Sequence, residues 1–506
     1  MESFSFDADT LGQSGCYEEV LQLLRSSDYT DAFICKRCNL RRAEEFEIDR
    51  KKRPPLPRPE SAADVLLQLF LAGEALKLEL AASLLGTENI ALLEGMGLLS
   101  GSDSGEYYST VSLYPVEELY IASDRWNTPD GAPLKDADDT VYPAFIPNTR
   151  LFLQHLPERE DVHFLDLCAG TGIAALRAAK RGAAQSWSGD IAERSTRFAE
   201  FNRRLNGIPN ARIVTSDLYQ SLAGLRFDVI VAHPPYVPTL QPRWIFASGG
   251  SDGEEITRKI VEGLPDHLND GGCFMALTMA SDRAARPLEY RIREWLGARH
   301  TEFDIALIIR RELDPQTFAF RANRDTIRTR EESEKWNELF AKLQIQSLVY
   351  GFICIQKRAG TGRPFTVRRQ TPTSSRSPWE WLIQWETASH GDTLPDIILN
   401  SRLYASQRTE FDVQHKLEQG LWTPSKYTFR IDYPFSMECD AQSWMAHLIS
   451  LCNGQVTGRD ALRILVEKSV FPKSTGEIEF AQAAASLVSG GFIEVEGYRF
   501  VDTGKV

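Results

Sequence analysis

Apolar runs of strand length alternate with helical patterns in the middle of the chain, from about residue 135 to residue 358. Alternation with short connections predicts a mostly parallel, doubly wound (Rossmann-like) α/β sheet with helices on both faces. We expect seven strands in residues 135–358. Their apolar runs are HFLDLC, QSWSGDI, ARIVTSD, FDVIVAH, GGCFMALTM, FDIALIIRR and SLVYGFICIQ.

Two flanking regions share a different pattern, in which apolar-periodic helices lead into a short strand, a turn and another strand. The first region, residues 61–134, ends its pattern with GMGLLSGSDSGEYYSTV. The second, residues 379–506, carries the pattern only from about residue 440 and ends it with SGGFIEVEGYRFV, whereas residues 379–439 are expected to be folded without a pattern that identifies their fold. Helices that lead into a small hairpin predict winged-helix-like α+β domains. Such domains bind nucleic acid or pack against other domains, and the acidity of the chain favours packing.

Two connecting segments separate these regions. Residues 1–60 hold short helical patterns and end in KKRPPLPRPE, whose four prolines block regular helix and sheet. Residues 359–378, AGTGRPFTVRRQTPTSSRSP, contain four arginines and no acidic residue, which predicts a basic linker. The linker is either a solvated connector or a basic patch for an anionic partner such as RNA.

The composition is that of a globular protein, with 42% hydrophobic residues and a net charge of −13 over 506 residues. That negative charge disfavours sequence-independent electrostatic binding to nucleic acid and favours a protein or small-molecule substrate. Eight scattered cysteines indicate a reducing compartment, and the single CxxC of Cys35 and Cys38 lacks a second ligand pair, so we expect no metal. The N-terminus has no signal-peptide pattern, and no window reaches about 18 uninterrupted apolar residues. We expect a soluble, cytoplasmic protein.

A glycine-rich turn follows the first predicted strand, in FLDLCAGTGIAAL. Gly170 and Gly172 let the backbone turn sharply and approach a ligand without a Cβ in the way. The helix that begins near Ile173 offers free N–H groups to an anionic part of the ligand. Ala169 lies in the same turn, and Asp166 either accepts a hydrogen bond from the ligand or caps the turn.

Acidic residues follow the next two strands. Asp190, in SGDI, lies about twenty residues past the glycines, where doubly wound folds place a carboxylate that binds both ribose hydroxyls. Asp217, in SDLY, is placed either to accept the exocyclic amine of an adenine or to cap a helix. Ile191 and Leu218 would supply apolar faces for the ring. Because the turn lacks GxGxxG spacing, the ligand is a nucleoside-bearing cofactor other than NAD.

The motif HPPY ends the fourth strand, in FDVIVAHPPY. It resembles the Asn-Pro-Pro-Tyr motif of amino-methylating enzymes, and the resemblance extends from about Val141 to Leu277. The later stretch GGSDGEEITRKIVEGL is similar to the Gly-Asp-Gly stretch of release-factor glutamine methyltransferases. The small-domain ribosomal RNA guanine-N2 methyltransferases share the central sheet. The resemblance implies a class I methyltransferase whose cofactor is S-adenosylmethionine.

The resemblance also implies a role for the motif, from which this chain departs at one position. In those families the asparagine oxygen and the first proline carbonyl accept two N–H bonds of a planar amide or amine, and the tyrosine packs against the substrate. Here His233 precedes Pro234, Pro235 and Tyr236. An imidazole has no carbonyl oxygen, and it titrates near neutral pH. Three interpretations of His233 stay open. It replaces the asparagine as a single hydrogen-bond acceptor, it acts as a general base, or it indicates a family member that has lost methyl-transfer activity.

Three functions stay open. The favoured one is N-methylation of a macromolecule, with a protein side chain ahead of an RNA base, because a small-molecule enzyme has no obvious need for two flanking domains. The second is methylation of a small metabolite or peptide natural product with His233 as the base, and the third is non-catalytic cofactor binding. Further candidates for the substrate wall are Tyr142, Phe145, Asn148, Thr149 and Trp244.

Overall fold

The computed structural model of the protein divides into two compact units. The first comprises Met1–Met279 and Ala319–Trp336, and the second comprises Ala280–Phe318 and Asn337–Val506. The structure describes residues 8–102, 105–129, 131–132, 138–239, 248–322, 330–360, 362–371 and 376–500. Within these ranges, no helix has both the length and the apolar character needed to cross a membrane.

The first unit begins with short helices and a small antiparallel sheet. Its elements are α1 (Tyr17–Ser26), α2 (Asp31–Cys38), α3 (Ala62–Leu66), β1 (Leu76–Lys77), α4 (Leu78–Leu85), α5 (Thr87–Gly95), β2 (Leu99–Gly101) and β3 (Glu106–Ser109). Ser61 starts α3 with a capping box, since its Oγ accepts the Asp64 N–H while the Asp64 carboxylate accepts the Ser61 N–H. The strands pair in the order β1-β3-β2.

A buried hairpin and a helix lead into the α/β core. They are β4 (Ser112–Val116), β5 (Leu119–Ser123) and α6 (Pro147–His155). The two residues between the strands, Glu117 and Glu118, have φ angles of 50° and 63°. Positive φ at both central residues is the geometry of a tight two-residue hairpin turn. Arg177 holds the turn in place with an ion pair of 3.1 Å to the Glu117 carboxylate.

Five parallel strands form the α/β sheet of the first unit. The elements are β6 (His163–Leu167), α7 (Ile173–Lys180), β7 (Gln185–Asp190), α8 (Glu193–Leu205), β8 (Ala211–Thr215), β9 (Phe227–Ala232), α9 (Glu255–His267) and β10 (Leu268–Arg283). The strand order is β10-β9-β6-β7-β8, and Asp166 of β6 pairs with Ser188 on one side and Val231 on the other. Because the order reverses at β6, the carboxyl ends of β6, β7 and β9 form the crevice in which open α/β sheets bind ligands.

The chain after β10 supplies the other strands predicted for residues 135–358, and one more. The elements are α10 (Leu288–Trp295), β11 (Phe303–Leu313), α11 (Pro315–Ala322), α12 (Arg330–Lys342), β12 (Ile345–Lys357) and β13 (Thr366–Gln370). In the second unit, β11 runs antiparallel to β12 and parallel to β13. The mostly parallel α/β fold is confirmed, and residues 135–358 contain seven strands, β6 to β12. The additional strand, β13, lies outside that range. β13 comes from the predicted basic linker, where Arg368 and Arg369 are neutralised by Asp282 and Glu386.

The C-terminal part of the second unit contains two small sheets. The elements are α13 (Ser377–Ser389), α14 (Leu394–Asn400), β14 (Arg402–Ala405), β15 (Glu410–Glu418), β16 (Leu421–Ile431), β17 (Met437–Asp440), α15 (Ser443–Leu451), β18 (Asn453–Thr457), α16 (Gly458–Glu467), α17 (Glu477–Ser489) and β19 (Ile493–Val495). The sheet orders are β15-β16-β17 and β18-β14-β19. Tyr498, Arg499 and Phe500 do not form the strand predicted at YRFV, and Val501 lies outside the described residues. Tyr498 packs edge-on against Trp385.

Candidate active site

A cavity of about 720 Å³ opens at the carboxyl ends of β6, β7, β8 and β9 in the first unit. Its volume lies within the range of ligand pockets, and its place is the one that the strand order predicts. Of the twelve predicted catalytic and cofactor-binding residues, all except Gly172 line this cavity. Those that line it are Asp166, Ala169, Gly170, Asp190, Ile191, Asp217, Leu218, His233, Pro234, Pro235 and Tyr236.

The two glycines of the turn have different roles. Gly170 has a φ of 54°, and a Cβ added there would meet no atom within 4 Å, so its bare face is open. Gly172 does not line the cavity, and a Cβ there would lie 2.9 Å from the Ala199 Cβ and 3.1 Å from the Ser188 Oγ. Gly172 is thus the predicted residue that the structure places outside the cavity lining, and its contact with the cofactor stays a prediction. Glycine is needed there because the start of α7 packs closely against α8 and β7.

Asp166 has the capping role, one of the two that the sequence left open. Its side chain is buried beneath the cavity and accepts the backbone N–H groups of Ala174 and Ala175, in the first turn of α7. Those two N–H groups have no partner within the helix, so the carboxyl group caps it. Burial, and then the nearby Asp190 carboxylate, raise the pKa of Asp166 well above its usual range.

Backbone N–H groups from two segments of the chain orient the Asp190 carboxylate. Its Oδ2 accepts the Gly170 N–H at 2.8 Å, and its Oδ1 accepts the Ala192 N–H at 3.0 Å. Burial raises the pKa of Asp190, and these backbone hydrogen bonds oppose the rise by favouring the carboxylate. The Ser195 side chain and the Ile191 N–H also hydrogen-bond to this carboxylate, so it is oriented before any ligand arrives.

The apolar residues beside the two acids face the cavity. Ile191 is 54% exposed, which is unusual for a large aliphatic side chain at the end of a buried strand. Leu218 also lines the cavity and has a φ of 51°. The exposed Asp217 carboxylate accepts a hydrogen bond of 3.4 Å from the Gln220 Nε2. This edge of the cavity offers an apolar surface beside an accessible acceptor, as a purine requires.

The HPPY corner lies in the same cavity, and its histidine is neutral. Burial lowers the pKa of His233 to about 4, because a charged imidazolium is poorly solvated there. The ring centroid lies 5.4 Å from that of Phe152 and 6.0 Å from that of Tyr236. The Asn148 Nδ2 donates a hydrogen bond of 3.2 Å to the Tyr236 hydroxyl. The arrangement forms a flat, mostly apolar slot with one neutral imidazole.

Comparison with known proteins agrees with this geometry. The family model described as the methyltransferase small domain matches residues 145–294, which include every residue of the predicted site. A Methanocaldococcus jannaschii protein, named provisionally as a protein N5-glutamine methyltransferase, is 33% identical over 154 residues. That alignment covers 29% of this chain and 76% of the relative.

The chain belongs to the methyltransferase small domain family.

Two further relatives of this methyltransferase are glutamine methyltransferases by name. The release factor enzyme of Thermodesulfovibrio yellowstonii is 30% identical over 28% of this chain, and the ribosomal protein uL3 enzyme of Xanthomonas campestris pv. campestris is 30% identical over 23%. The alignments cover 57% and 42% of those relatives, so the chain spans about half their length. A crystal structure of ribosomal protein L11 methylase from Lactobacillus delbrueckii subsp. bulgaricus overlaps 42% of this chain and 77% of its own, with 19% identity and a TM-score of 0.25.

The cofactor of this methyltransferase is S-adenosylmethionine, and the cavity has the chemistry to hold it. The open face of Gly170 leaves room for close approach of a ligand to the backbone. The preoriented Asp190 carboxylate suits two ribose hydroxyls, and the exposed face of Ile191 suits the adenine ring. These residues would hold the adenosine part of the cofactor.

The remaining predicted wall residues of the methyltransferase divide into three groups. Tyr142, Asn148 and Thr149 line the cavity. The prediction for Phe145 is wrong, because its ring is buried edge-on against Tyr114, with 4.7 Å between the ring centroids. Trp244 lies outside the described residues.

Phe152 and Cys168 are among the cavity residues of the methyltransferase that sequence reasoning missed. Phe152 contacts the His233 ring, and its position four residues after Asn148 on α6 is a signal that could have found it. Cys168 lines the cavity with a φ of 56°, a left-handed conformation that a residue with a Cβ adopts only at a cost. Nothing in the residue type of Cys168 indicates this strain.

Proposed function

We propose that this methyltransferase transfers a methyl group to the side-chain nitrogen of a glutamine in a protein. The observation that carries the proposal is one cavity in which the Asp190 carboxylate and the HPPY corner meet. Asp190 is suited to the cofactor, and the corner of His233 to Tyr236 is suited to a planar carboxamide. The names of the relatives, which specify protein glutamine, support the same acceptor.

The neutral state of His233 supports a role as hydrogen-bond acceptor. A base whose conjugate acid has a pKa of about 4 takes up protons weakly at pH 7, which disfavours general-base catalysis and the metabolite function that relied on it. A neutral imidazole has one bare nitrogen, which accepts one N–H of the substrate carboxamide. The carbonyl of Pro234 would accept the second N–H, as the resemblance implies.

Positioning is the main contribution that the side chains would make. When bound, S-adenosylmethionine supplies an electrophilic methyl group on its sulfonium sulfur. Pro234 and Pro235 restrict the backbone, so the acceptor geometry exists before the substrate binds. The rings of Phe152 and Tyr236 beside His233 provide an apolar wall that excludes water from the transfer.

A protein acceptor is favoured over RNA because the arginines of residues 359–378 are largely engaged within the second unit. Arg368 contacts the carboxylates of Asp282, Glu289 and Glu312, and Arg369 contacts that of Glu386. Cations paired in this way have little remaining charge for a phosphate backbone. The net charge of −13 also repels a polyanion.

We further propose that the flanking regions are winged-helix-like domains that dock the substrate protein, with boundaries at residues 61–134 and within 379–506. The order α3-β1-α4-α5-β2-β3 in the first region supports this assignment, as does α15-β18-α16-α17-β19 in the second. Limited proteolysis should cut the chain near residues 51–60 and 359–365. Early cleavage inside α4 or α16 would contradict the proposed boundaries.

Transfer of label from radioactive S-adenosylmethionine into methyl-poor lysate tests the function. The label should enter material that protease digests and RNase does not. Complete digestion with proteases, which preserves side-chain amides, should release labelled N5-methylglutamine. His233→Ala should abolish transfer, whereas His233→Asn should retain it, because a carboxamide oxygen restores an acceptor. RNase-sensitive label would contradict a protein substrate, and absence of transfer by folded protein that binds the cofactor would contradict enzymatic activity.

A further inference from the structure

Two asparagines of α8, Asn202 and Asn206, form hydrogen bonds with the backbone N–H and C=O groups on the outer edge of β5. The Asn202 Oδ1 accepts the Ala122 N–H at 2.7 Å, and its Nδ2 donates to the Ala122 carbonyl at 3.1 Å. Asn206 makes the same pair of bonds with Tyr120, at 2.9 and 2.7 Å. Four residues of helix rise about 6 Å, and two residues of strand span about 6.6 Å. The two carboxamides therefore match alternate residues of β5 and replace a neighbouring strand.

Asn202 makes one additional contact that Asn206 does not make. Its Nδ2 also donates to the Thr171 carbonyl at 3.0 Å. Thr171 lies between Gly170 and Gly172 in the glycine-rich turn that follows β6. Asn202 is fully buried, and both of its donor hydrogens and its acceptor oxygen are used. A reversed carboxamide would place its NH₂ group against the Ala122 N–H, so the contacts define a single orientation.

A second connection joins the end of the hairpin to the wall of the cavity. The Asp124 Oδ2, just after β5, accepts the Val141 N–H at 2.8 Å, and Val141 lines the cavity. The Arg194 Nε, in the first turn of α8, donates to the same carboxylate at 2.9 Å. Ala122 and Asp124 both lie at the C-terminal end of β5, so this one end of the hairpin is linked both to the glycine-rich turn and to the cavity wall. The hairpin precedes the family match, which begins at residue 145.

We propose that Asn202 is a positioning residue for the cofactor, through which the β4–β5 hairpin holds the Thr171 carbonyl and so the conformation of the glycine turn. The inference rests on the proposed function only in taking the cavity as the S-adenosylmethionine site. Without the Asn202 carboxamide, the turn loses the side chain that holds the carbonyl between its two left-handed glycines. Cofactor affinity should then fall while the rest of the sheet stays intact.

Asn206→Ala is the matched control for Asn202→Ala. Both variants remove a carboxamide from the same helix and leave one pair of β5 backbone groups without partners, so both should lower Tm by a similar amount. Calorimetry should show that Asn202→Ala raises the Kd for S-adenosylmethionine about tenfold, equivalent to about 1.4 kcal/mol. Asn206→Ala should stay within about twofold of the wild type. Hydrogen exchange at the amides of residues 170–173 should be faster in Asn202→Ala only.

Each outcome of this comparison decides the inference. Equal weakening of cofactor binding by the two variants, or unchanged binding by Asn202→Ala, would overturn it while the proposed function stands. If Asn202→Ala does not fold, Asn202→Ser takes its place, because the serine hydroxyl is uncharged and has a single donor hydrogen, so it cannot hold both carbonyls. Absence of cofactor binding by the wild-type chain would overturn the proposed function together with this inference.

Discussion

The protonation state of His233 separates two chemistries for the HPPY corner, and lowering the pH is the perturbation that tests it. Burial places the folded-state pKa at about 4, below the ordinary value of 6.5 that the unfolded chain should show. As the pH falls, the unfolded chain therefore binds its proton first. His233 therefore leaves the free energy of unfolding unchanged above pH 6.5 and lowers it progressively as the pH falls from 6.5 to 4.

The size of the effect follows from that difference in pKa. A difference of about 2.5 units corresponds to about 3 kcal/mol once the pH is below 4, at about 1.4 kcal/mol per unit. At pH 5 the expected loss is about 2 kcal/mol. Asparagine does not titrate, so His233→Asn should escape this loss. Other groups also titrate over the same range, so the quantity to compare is the difference between the two proteins.

Urea denaturation of the wild type and His233→Asn at pH 7.5 and pH 5.0 measures this difference. His163→Gln is a suitable control, because it removes an exposed imidazole outside the cavity. The wild type and the control should lose about 2 kcal/mol more than His233→Asn between the two pH values. Equal losses in all three proteins, or a rate of methyl transfer that falls with a pKa near 6.5 and depends on His233, would refute the argument and restore the general-base interpretation.

Four other substitutions test the glycine-rich turn and the acid that follows it. Asp190→Ala should raise the Kd for S-adenosylmethionine at least tenfold by calorimetry, because hydrogen bonds to a charged acceptor contribute about 1.5–3 kcal/mol each; unchanged affinity would place the ribose elsewhere. Gly172→Ala should destabilise the fold by about 1–3 kcal/mol in urea denaturation, since its Cβ would collide with Ala199, whereas Gly170→Ala should mainly weaken cofactor binding. Cys168→Gly should keep cofactor affinity and raise Tm by relieving about 1 kcal/mol of left-handed strain; a lower Tm would contradict that strain.

The sequence by itself determined the parallel sheet and the residues of its crevice. Alternating apolar runs and helical patterns specify parallel strands, and parallel strands end at one edge. Residues at the carboxyl ends of separate strands, such as Asp166, Asp190 and His233, therefore had to meet. Each of these signals is local, because it depends on a residue type and its distance from a strand end. That is why the cavity residues could be predicted without coordinates.

Only the tertiary structure decided what surrounds each residue. Gly172 is needed because Ala199, on the next helix, leaves no room for a Cβ. His233 is neutral because segments distant in sequence enclose it, and desolvation depends on those neighbours. Arg368 lies in a strand because its backbone pairs with β11, and Asp282 neutralises its charge. Burial, close packing and charge pairing arise between distant parts of the chain, so a pattern read along the sequence cannot supply them.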